Sequence, residues 1–125
     1  MKKHMLFGMA LGVSLMASVS GASAQDAAAG EKVFRACKAC HTLEEGKNRV
    51  GPSLHNIVGR KSGTVDGFAY SPAMKNANIV WDDENLKKYL ADPKGFITGN
   101  KMAFAGVKKE DELNSLIAYL KEAGK

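Results

Sequence analysis

Residues Cys37-Lys38-Ala39-Cys40-His41 hold both cysteines of a 125-residue chain, and a histidine directly follows the second one. Two thiols at this spacing can reach the two vinyl-derived positions on one edge of a porphyrin. An imidazole on the next residue then falls beneath the ring, where a nitrogen can coordinate iron. The C-x-x-C-H spacing is therefore that of covalent haem attachment, and it predicts one haem c as cofactor. Because the ligand is tethered beside two thioethers, the iron cannot easily lose it.

Other cysteine chemistries fit less well. A Cys-x-x-Cys pair can form a structural disulfide or a dithiol redox site. The redox site would open a helix after a strand, whereas Gly30 to Ala36 has helical spacing and no strand before it. A structural zinc site needs four ligands. Beyond residue 24 the chain offers only Cys37, Cys40, His41 and His55, with no second Cys pair and no closely spaced histidines.

Iron held by His41 has a second axial position. Its neutral candidates beyond residue 24 are His55, Met74 and Met102. His55 falls in a loop, where an ordinary surface histidine is equally at home. Met74 falls in a short helix, where packing alone accounts for a flexible thioether. Met102 sits between Gly99 and Gly106 in a stretch without helical periodicity, and such a backbone can bring a side chain straight to a metal. Met102 is the favoured ligand, with Met74 and His55 as the alternatives.

The elements that must position these groups are helical. Asp26 to Lys38 reads as a helix with Ala29, Val33, Phe34 and Cys37 on one side. Thr42 to Gly67, rich in Gly, Lys, Asn and Ser, reads as a long loop, and such loops inside a small domain are usually functional. Ser71-Pro72-Ala73 starts a short helix, with serine as cap and proline in the first turn. Asp82-Asp83 caps the next helix, Leu86, Tyr89 and Leu90 form its apolar stripe, and Pro93 stops it. Pro93 to Gly106 reads as irregular. The last helix begins near Lys109 and runs to Glu122, with Leu113, Leu116, Ile117 and Leu120 at i, i+3, i+4, i+7 and Gly124 at its end. No segment alternates as a strand, so the fold class is all-α.

The N-terminus reads as an export signal. Lys2 and Lys3 form a basic start, Met5 to Val19 is apolar, and Ala22-Ser23-Ala24 matches a small-residue cleavage site. The apolar run is short for a membrane span, which needs about 20 residues. The expected division is residues 1–24 as cleavable signal peptide and 25–125 as one domain, exported to the periplasm without stable membrane insertion. The whole chain carries +5 at pH 7; without Lys2 and Lys3 the excess is 16 basic over 13 acidic residues, or +3. So small an excess does not call for nucleic acid. A domain of this size buries a limited core and gains from a large apolar prosthetic group.

With these residues in place, the chain resembles a class I cytochrome c, most similar to the small bacterial members of the cytochrome c2 and mitochondrial cytochrome c group. The resemblance covers essentially all of residues 25–125. It implies N- and C-terminal helices packed together around a covalently bound haem, Gly30 and Phe34 meeting Leu116 and Tyr119. It implies that the carbonyl of Pro52, in Gly51-Pro52-Ser53-Leu54, accepts a hydrogen bond from the axial His41. It places Arg60 (after Gly59), Tyr70 and Trp81 around a haem propionate, Tyr89 beside the axial sulfur, Met102 on the iron and Phe104 over the exposed haem edge. Lys38, Lys47, Arg49, Lys94, Lys101, Lys108 and Lys109 resemble the family's basic docking ring, though ordinary solubilising charge would account for part of them. The chain departs from mitochondrial forms in three places. Phe34 is three residues before Cys37, Met74 stands where an asparagine is usual, and Asn100 replaces a threonine that bonds a propionate.

The implied function is one-electron transport, not enzymatic catalysis. A monomeric carrier would shuttle electrons between a bc1-type quinol-oxidising complex and a terminal oxidase or other acceptor, docking on acidic faces of membrane redox complexes or other redox proteins. The competing functions are a haem peroxidase or gas sensor with an open sixth position, and a tethered cytochrome serving one dehydrogenase.

Overall fold

A computed structural model describes residues 21–125, together with Gly8 and Gly12. Apart from those two glycines, the basic start and apolar run of the expected export signal lie outside the described residues. The described residues form five helices and no strand: α1 (Gly21–Phe34), α2 (Pro72–Lys75), α3 (Asp83–Ala91), α4 (Pro93–Phe96) and α5 (Glu110–Ala123). No helix among them is long and apolar enough to cross a membrane.

The frame is α1 packed on α5. The stripe expected on α5 is buried, with Leu116 fully so and Leu113, Ile117 and Leu120 nearly so. Burial of each such side chain contributes about 1.5–3 kcal/mol. On α1 the partner is Phe34, whose ring lies 5.3 Å from that of Tyr119 at 47°. The helices come this close because Gly30 has no side chain: a Cβ there would overlap the Ser115 carbonyl and the Tyr119 side chain. The opening acidic residues of α5, Glu110, Asp111 and Glu112, complement the positive end of its dipole, although Lys109 caps it without a side-chain hydrogen bond.

Caps set the shorter helices. The Ser71 hydroxyl accepts from the Met74 N–H at 3.1 Å, and Pro72 opens α2. Asp82 accepts from the Asn85 N–H at 2.8 Å to start α3. Pro93 ends α3 as expected, but it also opens α4, a turn inside the stretch read as irregular. The Asp92 carboxylate accepts from the Gly95 N–H at 3.1 Å, so one residue closes one helix and caps the next.

The long loop after His41 is held by side chains and short pairings. The Ser53 hydroxyl donates to the Glu44 carbonyl at 2.6 Å, and Asn48 ties the Ser53 N–H at 2.9 Å to the Asp66 carbonyl at 3.0 Å. An isolated antiparallel bridge between Lys61 and Val80 fastens the loop to the segment before α3.

Candidate functional site

The first helix is shorter at its C-terminal end than expected, and that shapes the site. α1 stops at Phe34, where the N–H groups of Cys37 and Lys38 both turn onto the Phe34 carbonyl at 2.8 and 3.2 Å. A fresh turn follows, in which the N–H groups of Cys40 and His41 donate to the Cys37 carbonyl at 3.1 and 2.9 Å. One turn of chain therefore carries both sulfurs and the imidazole. Both cysteines are half-buried and form no disulfide. Burial, with a smaller contribution from Cys40, pushes the Cys37 thiol up to about 11.

His41 is fixed by the loop that follows. Its Nδ1 lies 2.7 Å from the Pro52 carbonyl oxygen. A carbonyl only accepts, so Nδ1 carries the proton and Nε2 keeps its lone pair for a metal. Burial lowers the pKa of the ring, opposed by the Pro52 bond, and favours the neutral form that coordinates. Gly51 lies flat against the imidazole, where a Cβ would collide with Cε1 and both nitrogens.

The segment that carries Met102 borders the same space. Its sulfur is 3.9 Å from the Tyr89 hydroxyl. Tyr89 is buried on α3 between Trp81, at 4.9 Å between ring centroids, and Phe96, at 6.5 Å. Burial pushes the Tyr89 phenol up to about 12, so it stays a donor at neutral pH.

Of these groups all but Phe96 border one cavity of about 280 Å³. Cys37, Cys40, His41, Pro52, Arg60, Tyr70, Trp81, Tyr89, Met102 and Phe104, drawn from distant parts of the sequence, all line it. The three candidates for the second axial position separate. Met102 and Met74 both line the cavity, whereas His55 does not. The His55 ring faces the outer loop instead, with Nδ1 3.2 Å from the Leu43 carbonyl and Nε2 3.9 Å from the Glu45 carboxylate. Among the described residues no group of three His, Cys, Asp or Glu could hold a metal ion.

At the polar end, the Arg60 guanidinium donates to the Ser53 carbonyl at 2.8 Å and to the His55 carbonyl. The Tyr70 hydroxyl accepts from the Val65 N–H at 3.0 Å. The donor set, one neutral imidazole and thioethers around an apolar space with two thiols at its edge, fits a covalently attached haem.

The basic residues expected to dock partners are all exposed. Lys47 pairs with Glu44 at 2.9 Å, and Lys101 and Lys108 donate to the Ala69 and Ala91 carbonyls. Lys38, Arg49, Lys94 and Lys109 make no ion pair among the described residues. Sequence reasoning treated Asn100 only as a departure from a pattern. The structure buries it and turns its amide onto the backbone, including the Met102 N–H. An asparagine two residues before a candidate ligand, in a stretch with no periodicity, was the available signal, since such side chains readily bond nearby backbone.

Comparison with known proteins agrees with this geometry. The family model described as cytochrome c matches residues 27–124. Cytochrome c2 of Blastochloris viridis is 50% identical over 121 residues, covering 96% of this chain and 93% of its own. Cytochrome c-550 of Nitrobacter winogradskyi is 48% identical over 101 residues, covering 80% of this chain and 93% of its own. Among solved structures, cytochrome cH from Methylobacterium extorquens superposes with a TM-score of 0.73 at 49% identity, covering 78% of this chain and 98% of its own.

Proposed function

The chain belongs to the cytochrome c family, as a class I electron carrier of the c2 and c-550 type with covalently bound haem c, and we propose that it works in the periplasm, carrying single electrons from a bc1-type quinol-oxidising complex to a terminal oxidase or other acceptor. It is an electron-transfer protein and not an enzyme, and it exchanges electrons with other redox proteins. Residues 1–24 would be removed on export, leaving 25–125 as a monomeric domain.

In this reading Cys37 and Cys40 would hold the haem through thioethers, each S–H supplying both the sulfur and the hydrogen that a vinyl group takes up. His41 Nε2 and Met102 Sδ would hold the iron, as one nitrogen and one sulfur donor. The bound haem supplies a one-electron redox couple. Every other contribution comes from the chain. Pro52 holds the imidazole in the tautomer that coordinates, and raises its basicity. The Met102 thioether is a soft, neutral donor that favours ferrous iron, and the apolar lining disfavours the more charged ferric state, so both raise the potential. Arg60, Tyr70 and Trp81 border the end of the cavity that would receive a propionate, and Phe104 shields the haem edge. With His41 and Met102 both holding the iron, no position on it would remain for a substrate.

The observation that carries this reading is the convergence of Cys37, Cys40, His41 and Met102 on a single cavity. Its test is Met102→Ala beside Met74→Leu in the holoprotein. We expect Met102→Ala to abolish the far-red sulfur-to-iron band, admit CO to the reduced protein and lower the potential, while Met74→Leu keeps the band. Loss of the band in Met74→Leu alone would move the ligand to Met74. The docking face is assigned to Lys38, Lys47, Arg49, Lys94, Lys101, Lys108 and Lys109, with an acidic surface on the partner.

A further inference from the structure

Outside the two ligands, one side chain is built to control one of them. We propose that Asn100 is a positioning residue that sets how readily Met102 leaves the iron, by clamping the methionine segment to α4. The inference rests on the reading of Met102 as the sixth ligand.

The argument begins with how little else holds that segment. Of residues 101–106, only Met102 has its N–H bonded to the protein, and the acceptor is Asn100 Oδ1 at 2.9 Å. The next backbone anchor is Val107, whose N–H donates to the Leu90 carbonyl at 2.8 Å. Lys101 adds an exposed bond from its ammonium to the Ala69 carbonyl at 3.2 Å, a flexible tie on a solvated side chain. No helix or strand passes through 101–109. The position of the Met102 backbone is therefore decided at its N-terminal side by Asn100.

Asn100 is suited to that role. It is 8% exposed, and both amide hydrogens are used, donating from Nδ2 to the Pro93 and Ile97 carbonyls at 2.8 Å each. Those two carbonyls belong to α4 and its C-cap, which Pro93 and the Asp92 cap make rigid. A planar amide with three bonds in fixed directions transmits that rigidity to the next bond, the one to Met102. Removing it leaves the Met102 N–H with no protein partner and takes one of two donors from each of the Pro93 and Ile97 carbonyls, which keep the Ile97 and Asn100 N–H groups, and the segment can swing away from α4 with the methionine on it. A ligand on a tethered but loosened segment dissociates faster, even when the folded domain around it is unchanged.

The readout is the rate at which imidazole replaces the methionine in the ferric holoprotein, taken at saturating imidazole, where release of the native ligand limits it. Asn100→Ala removes all three bonds. Asn100→Asp keeps an acceptor for Met102 but sets a carboxylate against the Pro93 and Ile97 carbonyls. Thr98→Ala is the control in the same segment, losing only an exposed bond to the Lys94 carbonyl. We expect both Asn100 variants to raise the limiting rate about tenfold or more, the factor that follows from removing a net hydrogen bond or more from the barrier. Thr98→Ala should stay within about twofold. Should Asn100→Ala fail to fold, Asn100→Ser is read by the same threshold. Limiting rates in the Asn100 variants within about twofold of the unmodified protein would overturn the proposal. So would an equal acceleration by Thr98→Ala, which would mean that any change in the segment loosens it. Failure of the underlying reading is visible separately: the far-red band would then be missing from the unmodified protein, or would survive Met102→Ala.

Discussion

The hydroxyl of Tyr89 lies 3.9 Å from the sulfur of Met102, and it is the one polar side-chain group in contact with that sulfur among the described residues. A buried phenol that stays protonated can only donate to a thioether. With Met102 holding the iron as proposed, this contact would withdraw electron density from sulfur and favour the ferrous state.

Replacing Tyr89 by Phe keeps the ring between Trp81 and Phe96 and deletes the donor. The reduction potential should fall by about 20–40 mV, the one-electron equivalent of a net hydrogen bond worth about 0.5–1 kcal/mol. Cyclic voltammetry measures this directly. A potential that rises, or does not move, would show that the hydroxyl does not act on the ligand.

Tyr89 also bears on alkaline stability. Burial lifts its pKa from 10.0 to about 12, so above pH 10 the unfolded chain loses this proton while the folded chain keeps it. Folding stability should therefore fall as pH rises from about 10 towards 12. The slope over that window should be smaller in Tyr89→Phe, as urea titrations at several pH values would reveal.

Gly51→Ala tests the support of the histidine. The added methyl has to displace the imidazole or the Pro52 carbonyl that orients it. We expect a loss of about 1–3 kcal/mol, seen as a melting temperature lower by about 5–20 °C for a domain of this size. The Soret and near-infrared spectra should change as well, because the strain falls on the ligand. A stable variant with unaltered spectra would contradict the tight stacking.

Lys38, Arg49, Lys94 and Lys109, which form no ion pair among the described residues, predict salt-sensitive encounters. Second-order oxidation by a purified terminal oxidase should slow by roughly tenfold or more between low and physiological ionic strength. Charge reversal at Lys94 and Lys109 should flatten that dependence more than reversal at Lys47, which Glu44 already compensates. Equal effects from all three would leave the basic residues as general solubilising charge.

Much of the molecule is legible in its residue order, wherever the determinant is local. The C-x-x-C-H turn works within five consecutive residues, so its chemistry can be read without a fold. The same holds for the Leu113-Leu116-Ile117-Leu120 stripe, for the Asp82 cap and for the Ser71-Pro72 start of α2, because each is set by helical period or by a bond to a nearby N–H. The end of α1 was not legible in this way, since the turn that ends it at Phe34 competes with a continuing helical pattern. The turn of α4 was hidden by the proline that stops α3.

Tertiary structure alone decided which distant groups meet. Only the packing of α1 on α5 across Gly30, and the pinning of the loops by Asn48, Ser53 and Arg60, bring the motif turn, Pro52, Tyr89 and Met102 to one cavity. It placed Met74 beside that cavity and His55 away from it, a distinction no spacing encodes. It also buried Asn100 and bonded its amide to the Pro93 and Ile97 carbonyls and the Met102 N–H. The reason is physical: irregular chain is held by side chains bonding to backbone far away in sequence, and such bonds impose no periodicity on the residues between them.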